Sequence, residues 1–159
     1  MMHLDRLISE ENTHSIGIAE FRNENDLGRD KLISLAQQED ERLLAIQLFD
    51  ASKIVDFNHL LSASQNAVNA WHGGYSKARS LDVETAVYAS TQRQINRALD
   101  SVGVSDGLER IAVVVIGDDD RAVRDCLDSF EISIGSMIPT PFPANLDRLK
   151  ALMSLYGIE

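Results

Sequence analysis

Three sets of residues in this chain are of types that can carry chemistry: an acidic cluster, four histidines and one cysteine. The cluster Asp118, Asp119 and Asp120 follows a hydrophobic run directly, and clustered carboxylates are the ligands that hard cations prefer. Acidic residues between a strand and a helix also cap free backbone N–H groups and interact favourably with the helix dipole. We therefore expect helix capping at this cluster rather than a metal site.

The histidines and the cysteine do not form a catalytic or metal-binding pattern. His3, His14, His59 and His72 lack the spacing of metal ligands, and His59 precedes two leucines in a predicted helix, which favours a packing or hydrogen-bonding role. Cys126 is the single cysteine, so no disulfide forms within the chain, and its helical context indicates a small buried side chain. Phosphate-binding loops and the GxGxxG, GxSxG and HExxH motifs are also absent. The sequence predicts a protein without catalytic residues, metal or cofactor.

Charge is distributed unevenly along the chain. The formal net charge of −10 opposes nonspecific binding to nucleic acid and to anionic membranes. Between residues 57 and 99, however, basic residues outnumber acidic ones by four to two, and they are Lys77, Arg79, Arg93 and Arg97. The last two are four residues apart among Gln92, Gln94 and Asn96, and cations with amides at a helix start can hold phosphates and contact unpaired bases. A solvated helix face remains the alternative.

The elements that must position these residues alternate along one domain. Residues 1–12 are expected to form a ragged or short helical lead, and 13–159 the domain itself. Predicted strands span 13–21, 43–49, 111–116 and, as a short edge strand, 132–138. Predicted helices span 27–38, 53–71, 81–89, 91–102, 118–130 and 146–156, and for 81–89 the alternation of Val83, Thr85 and Val87 leaves a strand as the alternative. The expected fold class is α+β, with a small mixed β-sheet of about four strands packed against several helices.

Local signals mark where several of these helices begin and end. Gly73-Gly74 is expected to end one helix, Thr91 to Gln94 fits a T-x-x-Q capping box, and Asn145 is expected to cap the last helix. That last helix has an unusually wide apolar face, formed by Leu146, Leu149, Leu152, Met153, Leu155 and Tyr156. Such a face indicates either a partner surface or a helix enclosed by its own fold, and the sequence leaves both open.

Two stretches of the chain resemble a known family. Residues 46–68, IQLFDASKIVDFNHLLSASQNAV, resemble its strand–Asp-Ala–helix unit, and residues 80–104, SLDVETAVYASTQRQINRALDSVGV, resemble its Ser-x-x-Arg-Gln-Ile box. The family is the small kinase-binding subunit of the KEOPS (EKC) complex, also called the PRPK-binding protein family. The resemblance is good over about residues 43–120 and loose at the ends. The family's usual Ser-Gly before the box is Ser90-Thr91 here, and threonine does not adopt a positive φ at low cost.

The resemblance implies a function without catalysis. Members of the family bind the N-lobe of the atypical kinase/ATPase subunit of KEOPS, which installs the threonylcarbamoyl group on adenosine 37 of tRNAs that read ANN codons. Archaeal members also bind tRNA, chiefly through its 3′ CCA end, so an RNA role suggests an archaeal origin. The implied partners are the kinase/ATPase subunit and tRNA, with no small-molecule substrate and no membrane. A single cysteine, no long apolar run and no secretory leader favour a cytoplasmic location.

Taken together with the resemblance, the basic stretch and the apolar face of the last helix predict two sets of site residues. The tRNA-binding set is Lys77, Arg79, Ser90, Thr91, Gln92, Arg93, Gln94 and Arg97. The kinase-binding set lies on the last helix and is Leu149, Leu152, Met153, Leu155 and Tyr156, of which we expect Leu152, Leu155 and Tyr156 to be the most exposed. Two alternatives stay open: a kinase-binding regulator without RNA contact, and a small enzyme or ligand-sensing domain whose best support is Asp118 to Asp120.

Overall fold

The computed structural model describes residues 1–92 and 94–157, and these residues contain one four-stranded sheet. Its strands are β1 (His3–Ser9), β2 (Asn12–Arg22), β3 (Leu43–Asp50) and β4 (Arg110–Gly117). The spatial order is β1-β2-β4-β3, and all three ladders are antiparallel. The α+β class is confirmed, but the sheet is antiparallel rather than mixed.

Helices cover both faces of this sheet. The described residues form α1 (Arg29–Leu35), a 3₁₀ turn (Ala51–Lys53), α2 (Phe57–Gly73), α3 (Leu81–Ser90), α4 (Ile95–Val102), α5 (Asp120–Ser133) and α6 (Leu146–Leu155). Side chains of α2, α3 and α4 share a core with one face, and those of α1 and α5 share a second core with the other. A strand that is buried on both sides needs apolar residues throughout, which explains the uninterrupted apolar run of β4.

Two segments differ from the sequence prediction. Residues 3–9 form an edge strand instead of a helical lead, because a two-residue turn at Glu10, with φ 56°, returns the chain into β2 and places Leu7 in the core. The expected strand at 132–138 is also wrong. Helix α5 continues to Ser133, and only an isolated bridge between Met137 and Phe21 joins this segment to the sheet.

Most predicted helix caps are confirmed, and one is wrong. Asp119 caps α5 by accepting the Ala122 N–H at 2.8 Å, and Asn145 caps α6 in the same way. Gly74 ends α2 with φ 74°. The capping box at Thr91 does not form, because α4 begins only at Ile95, after Gln94. The first helix was expected over residues 27–38, but α1 is shorter and begins after Gly28.

Ser64 provides a stability prediction within α2. Its side chain is fully buried in the core, and its hydroxyl has no hydrogen-bond partner among the residues that the structure describes. Because an unsatisfied buried hydroxyl is costly and alanine favours helix, Ser64→Ala should raise the free energy of unfolding by about 1 kcal/mol. Urea denaturation measures the change. The control is Ser62→Ala on the exposed side of α2, and an equal gain in both variants would contradict the prediction.

Candidate functional site

One candidate surface lies around the turn that joins α3 to α4. Lys77, in the loop before α3, lines a cleft of about 320 Å³ together with Tyr88, Thr91 and Gln92. The same lysine lines an adjoining cleft of about 560 Å³ with Gln94 and two residues of α4. The structure therefore brings together four residues of the predicted tRNA-binding set, which are Lys77, Thr91, Gln92 and Gln94.

A buried carboxylate positions the basic loop. Glu84 of α3 is almost completely buried and accepts the backbone N–H of Lys77 at 2.9 and 3.0 Å and that of Ala78 at 3.1 Å. The acidic charge thus faces the backbone, while the side chains of Lys77 and Arg79 are exposed. Arg97, in the first turn of α4, is also exposed. None of the ion pairs within residues 1–92 and 94–157 uses these three cations.

Ser90 has a structural position rather than a surface one. Only 1% of it is exposed, and its hydroxyl donates to the Val87 carbonyl at 2.9 Å and accepts the Gln92 N–H at 3.0 Å. Direct contact of this side chain with RNA is therefore excluded in this conformation. Thr91, which follows it, ends α3 with φ 61°. The resemblance places a glycine at this position, and glycine adopts a positive φ without steric strain.

Replacing Thr91 with glycine should stabilise the protein. A β-branched residue in the left-handed region is strained by about 1–2 kcal/mol, which exceeds the entropy that glycine loses on folding. We expect Thr91→Gly to raise the free energy of unfolding by about 1 kcal/mol, measured by urea denaturation. Thr140→Gly, at an exposed position without positive φ, is the control and should destabilise. A loss of stability in both variants would show that Thr91 is not strained.

The predicted pair of arginines, Arg93 and Arg97, was expected four residues apart on one helix. Arg97 lies in the first turn of α4, which begins at Ile95. Arg93 lies outside the described residues. Gln92 lines the smaller of the two clefts and Gln94 the larger one.

Helix α6 is fixed to the body of the protein by one side. The Arg148 guanidinium donates to the carbonyls of Val55 and Ala51, both at 3.1 Å, and to that of Ile54. Four residues on, Leu152 is only 3% exposed, and Tyr156 donates its hydroxyl to the Lys53 carbonyl at 2.7 Å. The expectation that Leu152 and Tyr156 are among the most exposed residues of the helix is therefore wrong.

The other side of α6 carries an exposed apolar stripe. Leu146, Leu149 and Met153 follow the i, i+3, i+7 spacing of one helix face and are 65%, 39% and 37% exposed. Leu155 is exposed to a similar degree but is not part of this stripe. The inward-facing residues Arg148, Leu152 and Tyr156 lie between Leu155 and the stripe on the helix surface. The enclosed side of α6 agrees with the reading of a helix covered by its own fold, and the exposed stripe leaves the reading of a partner surface open.

His59 of α2 contacts both the last turn of α3 and the end of α6. Its Nδ1 accepts the Val55 N–H at 3.1 Å and its Nε2 donates to the Ala89 carbonyl at 2.8 Å, so the neutral Nε2–H tautomer satisfies both. The Tyr156 ring meets the imidazole edge-on at 5.5 Å, and burial raises the pKa of the Tyr156 phenol to about 12. The predicted packing and hydrogen-bonding role of His59 is confirmed.

The chain matches a family model over almost its whole length. The family is described as Kinase binding protein CGI-121, and the match covers residues 19–159. The chain belongs to this family. The resemblance seen in the sequence is confirmed, and kinase binding is the property that the family description states. No curated protein matches the chain. None of the helices in the described ranges combines the length and apolar character that a membrane span requires.

Sequence reasoning missed several exposed residues of this CGI-121 family member. Tyr75 is 61% exposed, and Tyr88 lies beside Lys77 in the smaller cleft. Burial raises the pKa of the Tyr88 phenol, and the nearby Glu84 and Tyr75 add to the shift. Leu146, the most exposed residue of the apolar stripe, was also left out of the predicted set. The available signal was the presence of three aromatic residues, Trp71, Tyr75 and Tyr88, on either side of Lys77 and Arg79.

Proposed function

We propose that this chain is a non-catalytic, cytoplasmic adaptor subunit of the KEOPS complex. It binds the atypical kinase/ATPase subunit and recruits tRNA by its 3′ CCA end for N6-threonylcarbamoyladenosine formation at adenosine 37. The observation that carries the proposal is the exposed apolar stripe of α6 in a chain that belongs to a kinase-binding family.

The stripe has the properties of a prepared protein interface. Arg148, Leu152 and Tyr156 hold the helix on its inner side, so little conformational entropy is lost when a partner covers the outer side. Leu149 and Met153 form the apolar centre, and the exposed polar residues Asp147 and Lys150 form a rim. An apolar centre inside a polar rim is the usual anatomy of such interfaces. Leu155 is assigned to the edge of the kinase contact.

The α3–α4 surface supports the tRNA part of the proposal. Lys77, Arg79 and Arg97 can neutralise phosphates, since no acidic side chain among the described residues pairs with them. The amides of Gln92 and Gln94 can contact the edges of unpaired bases, and the exposed ring of Tyr88 offers a stacking surface. The acidic remainder of the chain would restrict RNA to this surface.

The residues that could have supported an enzyme have other roles. Asp119 caps α5, and Asp120 pairs with Arg6 of β1. Cys126 is buried, which raises the pKa of its thiol to about 12 and leaves it unreactive. Both ring nitrogens of His59 are bonded to the backbone. These assignments favour an adaptor over the enzyme or ligand-sensing alternative.

Co-expression with a KEOPS kinase/ATPase subunit, followed by gel filtration, tests the protein contact. A one-to-one complex is expected. Binding of intact tRNA and of tRNA that lacks the CCA end, compared over a salt series, tests the RNA contact. Loss of affinity on removal of the CCA end is expected. Kinase binding without any tRNA binding would leave the second candidate, a kinase-binding regulator, which the net charge of −10 favours.

A further inference from the structure

His14 of β2 and His72 in the last turn of α2 form a direct imidazole pair. Their Nε2 atoms lie 2.8 Å apart, the ring planes differ by 12°, and the ring centroids are 5.1 Å apart. The centroid separation exceeds the nitrogen separation by one ring diameter, so the rings point at each other head-on and do not overlap. This is the geometry of a nitrogen–nitrogen hydrogen bond, which needs one N–H donor and one lone pair.

The pair tolerates one added proton but not two. In the neutral pair, one ring donates its Nε2–H and the other accepts on Nε2 while carrying its proton on Nδ1. A first proton binds the Nδ1 of the donor ring, and the hydrogen bond then becomes charge-assisted. A second proton can bind only the Nε2 lone pair of the acceptor ring. Two N–H groups and two positive charges would then face each other, so the bond must break.

The surroundings of the pair oppose the second proton. Burial lowers the pKa of His14 from its ordinary value of 6.5, and the charge of His72 lowers it further, while Asp118 at the end of β4 raises it. From β1, the residue opposite His14 is the uncharged Leu7. The pKa of His14 is lower in the folded chain than in the unfolded chain. The neutral form of His14 therefore contributes fully to the free energy of unfolding above pH 6.5, and this contribution is lost as the pH falls from 6.5 through the lower pKa of the folded chain.

The pair holds the end of the helix from which the basic loop emerges. Helix α2 ends at Gly73, one residue after His72, and the chain then passes to Lys77 and Arg79. Glu84 anchors the far end of this loop through the backbone of Lys77 and Ala78. We propose that the His14–His72 pair is an acid-sensitive latch for residues 74–80, which double protonation opens. The consequence for RNA rests on the proposed function, whereas the latch itself does not.

Hydrogen–deuterium exchange at pH 7.5 and pH 5.5, corrected for the intrinsic pH dependence, tests the latch. In the wild-type chain, residues 70–80 should exchange about five- to tenfold faster at the lower pH, as the loss of one hydrogen bond predicts, while β4 should not change. The control is His14→Gln, which can still donate to His72 but cannot take up a proton, and it should remove the pH effect. His72→Gln serves if the first variant does not fold.

Two outcomes would overturn the latch: no pH effect in the wild type, or the same effect in wild type and variants. A second measurement, the affinity for tRNA at both pH values, tests the consequence. The wild type should bind tRNA more weakly than His14→Gln at pH 5.5, by the factor by which the closed population of residues 74–80 falls. An equal response in both proteins would overturn the link to RNA. If tRNA binds neither protein, the proposed function fails, and the exchange measurement still decides the latch.

Discussion

Replacing Leu149 and Met153 together with aspartate is expected to weaken binding to the kinase/ATPase subunit by roughly 100-fold or more. A partner can cover only the exposed 39% of Leu149 and 37% of Met153, so each loses roughly 0.5–1 kcal/mol of apolar burial in the interface, and each new carboxylate would also have to be desolvated there. The rest of each side chain packs against the chain itself, so some loss of stability is expected as well and must be measured beside the affinity. Isothermal titration calorimetry with the purified kinase subunit measures the affinity, and urea denaturation measures the stability.

Two further variants of α6 control for the added negative charge and for loss of folding. Ser154→Asp adds a charge at an exposed position outside the stripe and should leave the kinase affinity unchanged. Leu152→Asp places the charge in the core and should unfold the helix or the protein. Full kinase binding by the folded Leu149 and Met153 double variant would show that the kinase contacts another surface.

Replacing Lys77, Arg79 and Arg97 together with alanine should weaken tRNA binding by roughly 100-fold at about 0.1 M salt. Each lost cation removes one phosphate contact, so the slope of log affinity against log salt should fall by about two to three. Filter binding or fluorescence anisotropy over a salt series measures both quantities. The effect is expected to be large because the remainder of the chain is strongly acidic and repels RNA.

A matched triple variant on the opposite face of the sheet distinguishes the loss of a specific RNA-binding site from the loss of positive charge in general. Lys31, Arg121 and Arg124 are exposed on α1 and α5, and their replacement with alanine removes the same charge. This variant should retain most of the affinity and the salt slope. Equal losses in both triple variants would mean that net charge alone governs binding. No loss in either would discard the tRNA surface and leave the kinase-binding regulator.

The two surfaces differ in how well the sequence predicted them. The α3–α4 surface depends on residues close together in the chain, and Lys77, Gln92 and Gln94 do meet there. The errors in predicting this surface are local: Ser90 is buried, because its hydroxyl closes the turn, and α4 begins after the expected capping box.

The hairpin that makes residues 3–9 a strand was also missed. Its two central turn residues are Glu10 and Glu11, and neither is a glycine, asparagine or aspartate, the residues that usually indicate such a turn.

The sequence by itself determined the elements whose signals are short-range. The apolar run of β4, the periodic face of α2, and the caps of α5 and α6 were all readable, because each depends on neighbours within one or two turns. Tertiary structure alone decided which side of α6 is free. Its six apolar residues cover about half of the helix circumference, and Arg148 selects the inner side by donating to carbonyls at residues 51–55, more than 90 positions away. Contacts at that separation leave no periodic trace in a sequence.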